Sequence, residues 1–243
     1  MILLDNIKKH MFLPQYTHTS KNYVGSDTHI VYKQSLKVMP ADWYYRDSEI
    51  EYVLNKSDYR TSEFDTIDWN QCVVLLGCSN VFGLGLHTEN TISEQLSKLI
   101  NKPVINLGCP GSSIRAALHN NVILRAQGMP LAVVNIWTHY LRCIYYQNNS
   151  VEHLGAWNMD KNSHMETYSR IDSNPIIHAY LDTECAKNLW RDTKYYSCSM
   201  FEDTGAQLGC DLIRQIDNAR DLIHPGRMTA KLVAECIAEN ICV

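Results

Sequence analysis

Three residues, in two segments far apart in the chain, have the types and order needed for nucleophilic hydrolysis. Ser79 stands in Gly77-Cys78-Ser79-Asn80, directly after an apolar run, while Asp221 and His224 share the segment Asp221-Leu222-Ile223-His224-Pro225-Gly226. A serine hydroxyl is a weak nucleophile at neutral pH and needs a base that titrates near the working pH, which imidazole does. The imidazole in turn needs a carboxylate to orient it. An aspartate three residues before a histidine, in a tight segment ended by Pro-Gly, can fold back on the ring and leave the other nitrogen for the serine. Cys78 is a second conceivable nucleophile on the same turn.

These residues must be positioned by the elements around them. Val73-Val74-Leu75-Leu76, closed by Gly77, reads as a strand buried on both faces of a parallel sheet. Thr91-Ile92-Ser93-Glu94 has capping-box spacing, and the helix after it places Ile92, Leu96 and Leu99 on one face. Val104 to Leu107 forms the second strand. Ser112 or Ser113 then caps a helix with the stripe Ile114, Leu118 and Val122, stopped at Gly128. Leu131 to Trp137 is the third strand, and a last helix runs from about Arg227 to Asn240 with Leu232, Val233, Cys236 and Ile237 on its core face. Such β-α alternation with short links predicts an α/β domain around a central parallel sheet, with functional loops at the carboxyl ends of the strands. Ser79, Gly111 and Thr138 all fall at such ends.

The remaining segments are less regular. Residues 1–70, rich in Tyr, Asp, Ser and Lys, read as an irregular, partly β extension with no sustained helical period. The span of about 140–200 reads as an insertion or lid within the domain of residues 71–243. Its many aromatics suit ordinary packing better than sugar stacking, and His153 and His164 are expected to face solvent.

Composition narrows the function classes. The 243 residues are 45% hydrophobic and 20% charged with a net charge of -4, so no basic footprint for nucleic acid exists. No run of 18 apolar residues predicts a membrane span, and the short apolar N-terminus is too brief for a signal-peptide core. Nine scattered cysteines, with no C-x-x-C pair and no zinc spacing, read as reduced thiols of a cytoplasmic protein without metal or organic cofactor. Phe82-Gly83-Leu84-Gly85 lacks the phosphate-loop patterns, and Val81 stands where a G-x-S-x-G elbow needs its second glycine.

From Cys72 onward the chain resembles the SGNH hydrolases, the GDSL esterases and lipases. Gly77-Cys78-Ser79-Asn80 with the trailing Phe82-Gly83-Leu84-Gly85 is similar to the family's first block, with Cys78 where aspartate is usual. Asn106-Leu107-Gly108-Cys109-Pro110-Gly111 is similar to the second, and Asp221-x-x-His224-Pro225-Gly226 to the last. The resemblance implies a flavodoxin-like three-layer α/β/α sandwich, Ser79, His224 and Asp221 as catalytic triad, and a backbone N–H of Gly111 (with Gly108 as the weaker match) in the oxyanion hole. The third block departs: where the family has Gly-x-Asn-Asp, this chain has Asn135-Ile136-Trp137-Thr138-His139, leaving Thr138 or His139 to replace the asparagine donor. One such donor is worth about 2.7–4 kcal/mol, or about 10² to 10³ in rate.

The expected activity is therefore that of a serine esterase acting on a carboxylic ester, an O-acetyl group on a carbohydrate among the candidates. Two alternatives share these residues: an SGNH-like binding or structural module that no longer turns over, and an acyltransferase using the same triad. The oligomeric state is not encoded in any spacing.

Overall fold

The computed structural model describes residues 12–13, 22–47, 49–146, 151–155 and 174–242. The apolar runs after Cys72 form β1 (Val73–Gly77), β2 (Val104–Gly108) and β3 (Ala132–Trp137). With β6 (Lys194–Ser199) and β7 (Asp211–Leu212) they make one parallel sheet of order β2-β1-β3-β6-β7. A separate antiparallel hairpin pairs β4 (Cys143–Tyr146) with β5 (Val151–Leu154).

Alternation along the strands sorts the side chains to two faces. Val73, Leu75, Val134 and Ile136 meet one helical layer, with Val81, Leu96, Val233 and Ile237 among the contacts. That layer holds α2 (Ser79–Phe82), α3 (Ile92–Ile100) and α7 (Arg227–Ile241). Val74, Leu76, Ile105, Leu107 and Val133 meet the other, with Leu124 and Trp190. There lie α4 (Ile114–Gln127) and α5 (Pro175–Leu189), while α6 (Glu202–Leu208) packs beside β6. This is the three-layer α/β/α arrangement expected. The sheet reverses its winding between β1 and β3, where ligands of such open sheets bind.

Local signals held where they were strongest. The Thr91 side chain accepts from the Glu94 N–H and that of Ser113 from the Ala116 N–H, as the caps predict, and Gly128 ends α4. Several stripe positions differ. Leu99, Val122 and Leu232 are exposed, because Leu96, Ala117, Leu124, Val233 and Ile237 already fill the space against the sheet.

Two larger readings are corrected. The stretch of about 140–200 is not an insertion throughout: α5 and β6 belong to the core layers, and Trp190 is fully buried. The sequence Lys194-Tyr195-Tyr196-Ser197-Cys198-Ser199 hid the strand because its buried positions include polar and polar-tipped residues. Trp157, Tyr168 and His164 lie outside the described residues. The N-terminal extension contains α1 (His29–Val38), whose side chains are mostly exposed, Ile30 and Val38 included. With no apolar stripe to show it, this helix is held by its Thr28 cap and by Arg46, which donates to the carbonyls of Leu36 (3.1 Å) and Met39 (2.5 Å). Val24, Tyr45, Ile50 and Tyr52 of the same extension enter the core on the α7 side, and Tyr59 and Trp69 enter on the other.

Candidate active site

Ser79 follows β1 as the first residue of α2, a helix of one turn ended by Gly83. Two residues of the second sheet strand, Asn106 and Gly108, hold this turn. Asn106 donates from Nδ2 to the Val81 carbonyl (2.8 Å), and its Oδ1 accepts from the Gly108 N–H (2.9 Å). Gly108 must be glycine, because a Cβ there would stand 2.3 Å from the Phe82 nitrogen, so the backbones of β2 and α2 touch directly. The turn 109–112 is tied to the end of β1, because the Cys109 N–H (2.9 Å) and the Ser112 hydroxyl (3.1 Å) both donate to the Gly77 carbonyl.

Asp221 and His224 arrive on the loop before α7. His224 Nε2 lies 2.8 Å from Ser79 Oγ, and its Nδ1 lies 2.6 Å from Asp221 Oδ2. An ionised carboxylate can only accept, so Nδ1 carries the proton and Nε2 is the acceptor facing the serine. The loop is curled tightly by Leu222, whose φ of 61° is unusual for a residue with a side chain. That curl aims the N–H groups of Ile223 (3.1 Å) and His224 (3.0 Å) at Asp221 Oδ1.

Asp221 is 2% exposed. Burial pushes its carboxyl up, but the hydrogen bond and charge of His224, the Ser26 hydroxyl and the His224 N–H outweigh it and bring it down to about 2. The Ser26 hydroxyl donates to Asp221 Oδ2 at 2.7 Å across 195 residues of chain. Nothing in the local sequence marks Ser26, since only the tertiary fold brings it there.

The oxyanion candidates separate. The Gly108 N–H is engaged by Asn106, whereas those of Ser79 and Gly111 make no hydrogen bond to another described residue, and Gly111 adopts a φ of 77°. β1 and β3 pair with Gly77 opposite Ile136. β3 ends at Trp137, so Thr138 is the first residue past the carboxyl end of the strand beside β1. The Thr138 hydroxyl is buried and meets no partner among the described residues. His139 is engaged in its own turn: its Nδ1 accepts from the Leu141 N–H (3.2 Å), its ring stacks on Tyr140, and burial lowers its pKa.

The other expectations resolve as follows. His153 does not face solvent. It is buried on β5 with Nε2 3.5 Å from Cys109 Sγ, and burial lowers its pKa to about 4 and raises that of Cys109 to about 12. A neutral imidazole beside a protonated thiol braces the hairpin against the 109–112 turn. All nine cysteines are unbridged thiols. Among the described residues no cluster suited to a metal ion occurs, and no helix is long and apolar enough to cross a membrane. A cavity of about 400 Å³ opens between the start of α4 and the hairpin, lined by Arg115, Tyr140, Arg142 and Tyr146 among others, and none of its lining belongs to the Ser79–His224–Asp221 chain.

No family model and no curated protein matches the sequence. Solved structures do align with the fold. TesA shares 14% identity, with 70% of this chain and 98% of that one covered at a TM-score of 0.45. An acetyl xylan esterase from the rumen bacterium Butyrivibrio proteoclasticus shares 8%, over 72% of this chain and 64% of that one, at 0.45. AlinE4, an SGNH-hydrolase family esterase, shares 10% over 73% and 97%, at 0.36. At such identities no residue role is carried across, so roles are argued from this site's own geometry. The chain is similar to these solved proteins, an SGNH-hydrolase family esterase among them, and its three sequence blocks resemble that family.

Proposed function

We propose that the protein is a serine hydrolase of carboxylic esters. The observation that carries this reading is the continuous chain of short contacts from Ser79 Oγ through His224 to Asp221, at 2.8 and 2.6 Å. In this reading Ser79 Oγ attacks the ester carbonyl carbon as His224 Nε2 takes the hydroxyl proton. The carbonyl oxygen gathers negative charge and accepts from the N–H groups of Ser79 and Gly111. The C–O bond to the alcohol then breaks, and His224 returns the proton to the leaving oxygen. Water repeats the sequence on the acyl-enzyme and frees the acid. Asp221 stays ionised throughout and holds the ring in the tautomer that leaves Nε2 open.

Thr138 supplies the third oxyanion donor. A buried hydroxyl with no partner among the described residues costs free energy in the resting fold, and its place just past the carboxyl end of β3, the strand beside β1, gives that hydroxyl a use when the oxyanion forms. His139, engaged in its own turn, braces the loop instead. No metal or organic cofactor takes part in any of these steps.

Turnover of p-nitrophenyl acetate by wild type, Ser79→Ala and His224→Ala tests the reading. It requires that the wild type turn over and that both variants lose about 10² to 10⁴ of the rate while remaining folded. A folded wild type with no turnover of this or longer p-nitrophenyl esters favours the binding-module alternative. Product appearing as a new ester when an alcohol is added would assign acyl transfer.

A further inference from the structure

We propose that Ser26 is a positioning residue of the active site, a fourth member that fixes the Asp221 carboxylate from outside the α/β domain. The inference rests on the proposed roles of Ser79, His224 and Asp221. Its basis is the saturation of one side chain. Asp221 Oδ1 accepts from the N–H groups of Ile223 and His224, and Oδ2 accepts from His224 Nδ1 and from Ser26 Oγ. A carboxylate has about four lone-pair positions, and Ser26 fills the last.

The hydroxyl is delivered by a built device. Val24 and Asp27 exchange backbone hydrogen bonds of 3.1 and 3.0 Å around Gly25-Ser26, and Gly25 takes the φ of 58° that closes this turn. The next residue, Asp27, forks onto Arg220, with contacts of 2.9 and 2.7 Å and both side chains buried. Two consecutive residues of the turn thus grip two consecutive residues of the loop: Ser26 holds Asp221, and Asp27 holds Arg220. Tyr52 extends the grip by donating to Asp27 Oδ2 (2.5 Å) and accepting from the Gly85 N–H (2.8 Å). Ser26 Oγ also lies 3.4 Å from His224 Nδ1, so its removal alters both partners of the imidazole proton. Without Ser26, Oδ2 is held by His224 Nδ1 alone, and a turn of the carboxylate about its Oδ1 contacts shifts the ring relative to Ser79.

The test compares Ser26→Ala, Ser26→Thr and Ser79→Ala in the full chain. Each is assayed for p-nitrophenyl acetate turnover, thermal unfolding and the downfield proton NMR signal of the Nδ1–H shared with Asp221. Ser26→Ala should lower kcat about 10- to 100-fold, the range for loss of a hydrogen bond to a charged group, with KM changed less than about twofold. The NMR signal should move in Ser26→Ala, and Ser26→Thr should recover both rate and signal. Should Ser26→Ala not fold, Ser26→Cys, of similar shape and weaker as a donor, must show the same loss of kcat. Wild-type kcat and an unmoved signal in Ser26→Ala, with Ser79→Ala inactive, overturn the positioning role alone. Full activity of Ser79→Ala overturns the triad and, with it, the role of Ser26.

Discussion

The serine and the histidine of this site are held by different kinds of force. Ser79 sits at the end of a buried apolar strand, on a helical turn pressed backbone to backbone against Gly108. The Asp221–His224 loop rests instead on buried polar contacts from the N-terminal segment, above all Ser26, Asp27 and Tyr52. Packing forces are short-ranged and graded, so an apolar neighbour can be exchanged for one of similar volume at small cost. Buried polar networks behave differently, since a partner left behind remains desolvated and unpaired. The histidine loop should therefore be the more fragile half.

The largest expected effect is on that half. Arg220→Met leaves the buried Asp27 carboxylate without its cation and should destabilise the fold by about 3–5 kcal/mol, read as a lowered urea midpoint. An unchanged midpoint would mean that the clamp adds nothing beyond surface contacts. Next, Thr138→Val should cost about 10² to 10³ in kcat, the range for one oxyanion donor, with stability equal to or above wild type. The second part is distinctive, because the substitution removes a buried hydroxyl that has no partner among the described residues. A destabilised but fully active variant would assign Thr138 a structural bond instead.

A pH titration separates the hairpin from the loop. His153, lowered to about 4, is neutral in the fold and protonates at about 6.5 when released, so the unfolded chain binds more protons between those values. Stability should fall by on the order of 3 kcal/mol from pH 6.5 to 4, and His153→Gln should flatten this limb. Asp221 contributes in a lower window: its stabilisation is complete above the ordinary carboxylate value of 3.8 and is lost as pH falls through about 2. The smallest effect is on the packed half. Leu107→Met, buried on β2 with its volume nearly kept, should cost less than about 1.5 kcal/mol and leave kcat unchanged.

What the chain discloses in its sequence follows the same division. Strands β1 to β3 and the caps at Thr91 and Ser113 are local events, written in apolar runs and in side chains that bond within one turn. The Asp221–His224 contact is also local, spanning three residues, and so could be anticipated from spacing. Helix α1 could not, because its exposed apolar residues follow no core-facing period. Nor could β6, whose buried positions include serine and tyrosine. Ser26 and the Asp27–Arg220 pair join residues nearly 200 positions apart, and a pairing at that range leaves no trace in either segment alone. The sequence marks Thr138 only as the place where a motif is missing, because the burial of its hydroxyl without a partner among the described residues depends on the surrounding fold.

The central claim is that Ser79 is a nucleophile activated by His224. Treatment of the folded protein with a fluorophosphonate, followed by peptide mass mapping, tests it most directly. The account predicts one stoichiometric adduct on Ser79 that is absent in Ser79→Ala and strongly slowed in His224→Ala. An unlabelled wild type, or an adduct on another residue, would contradict it.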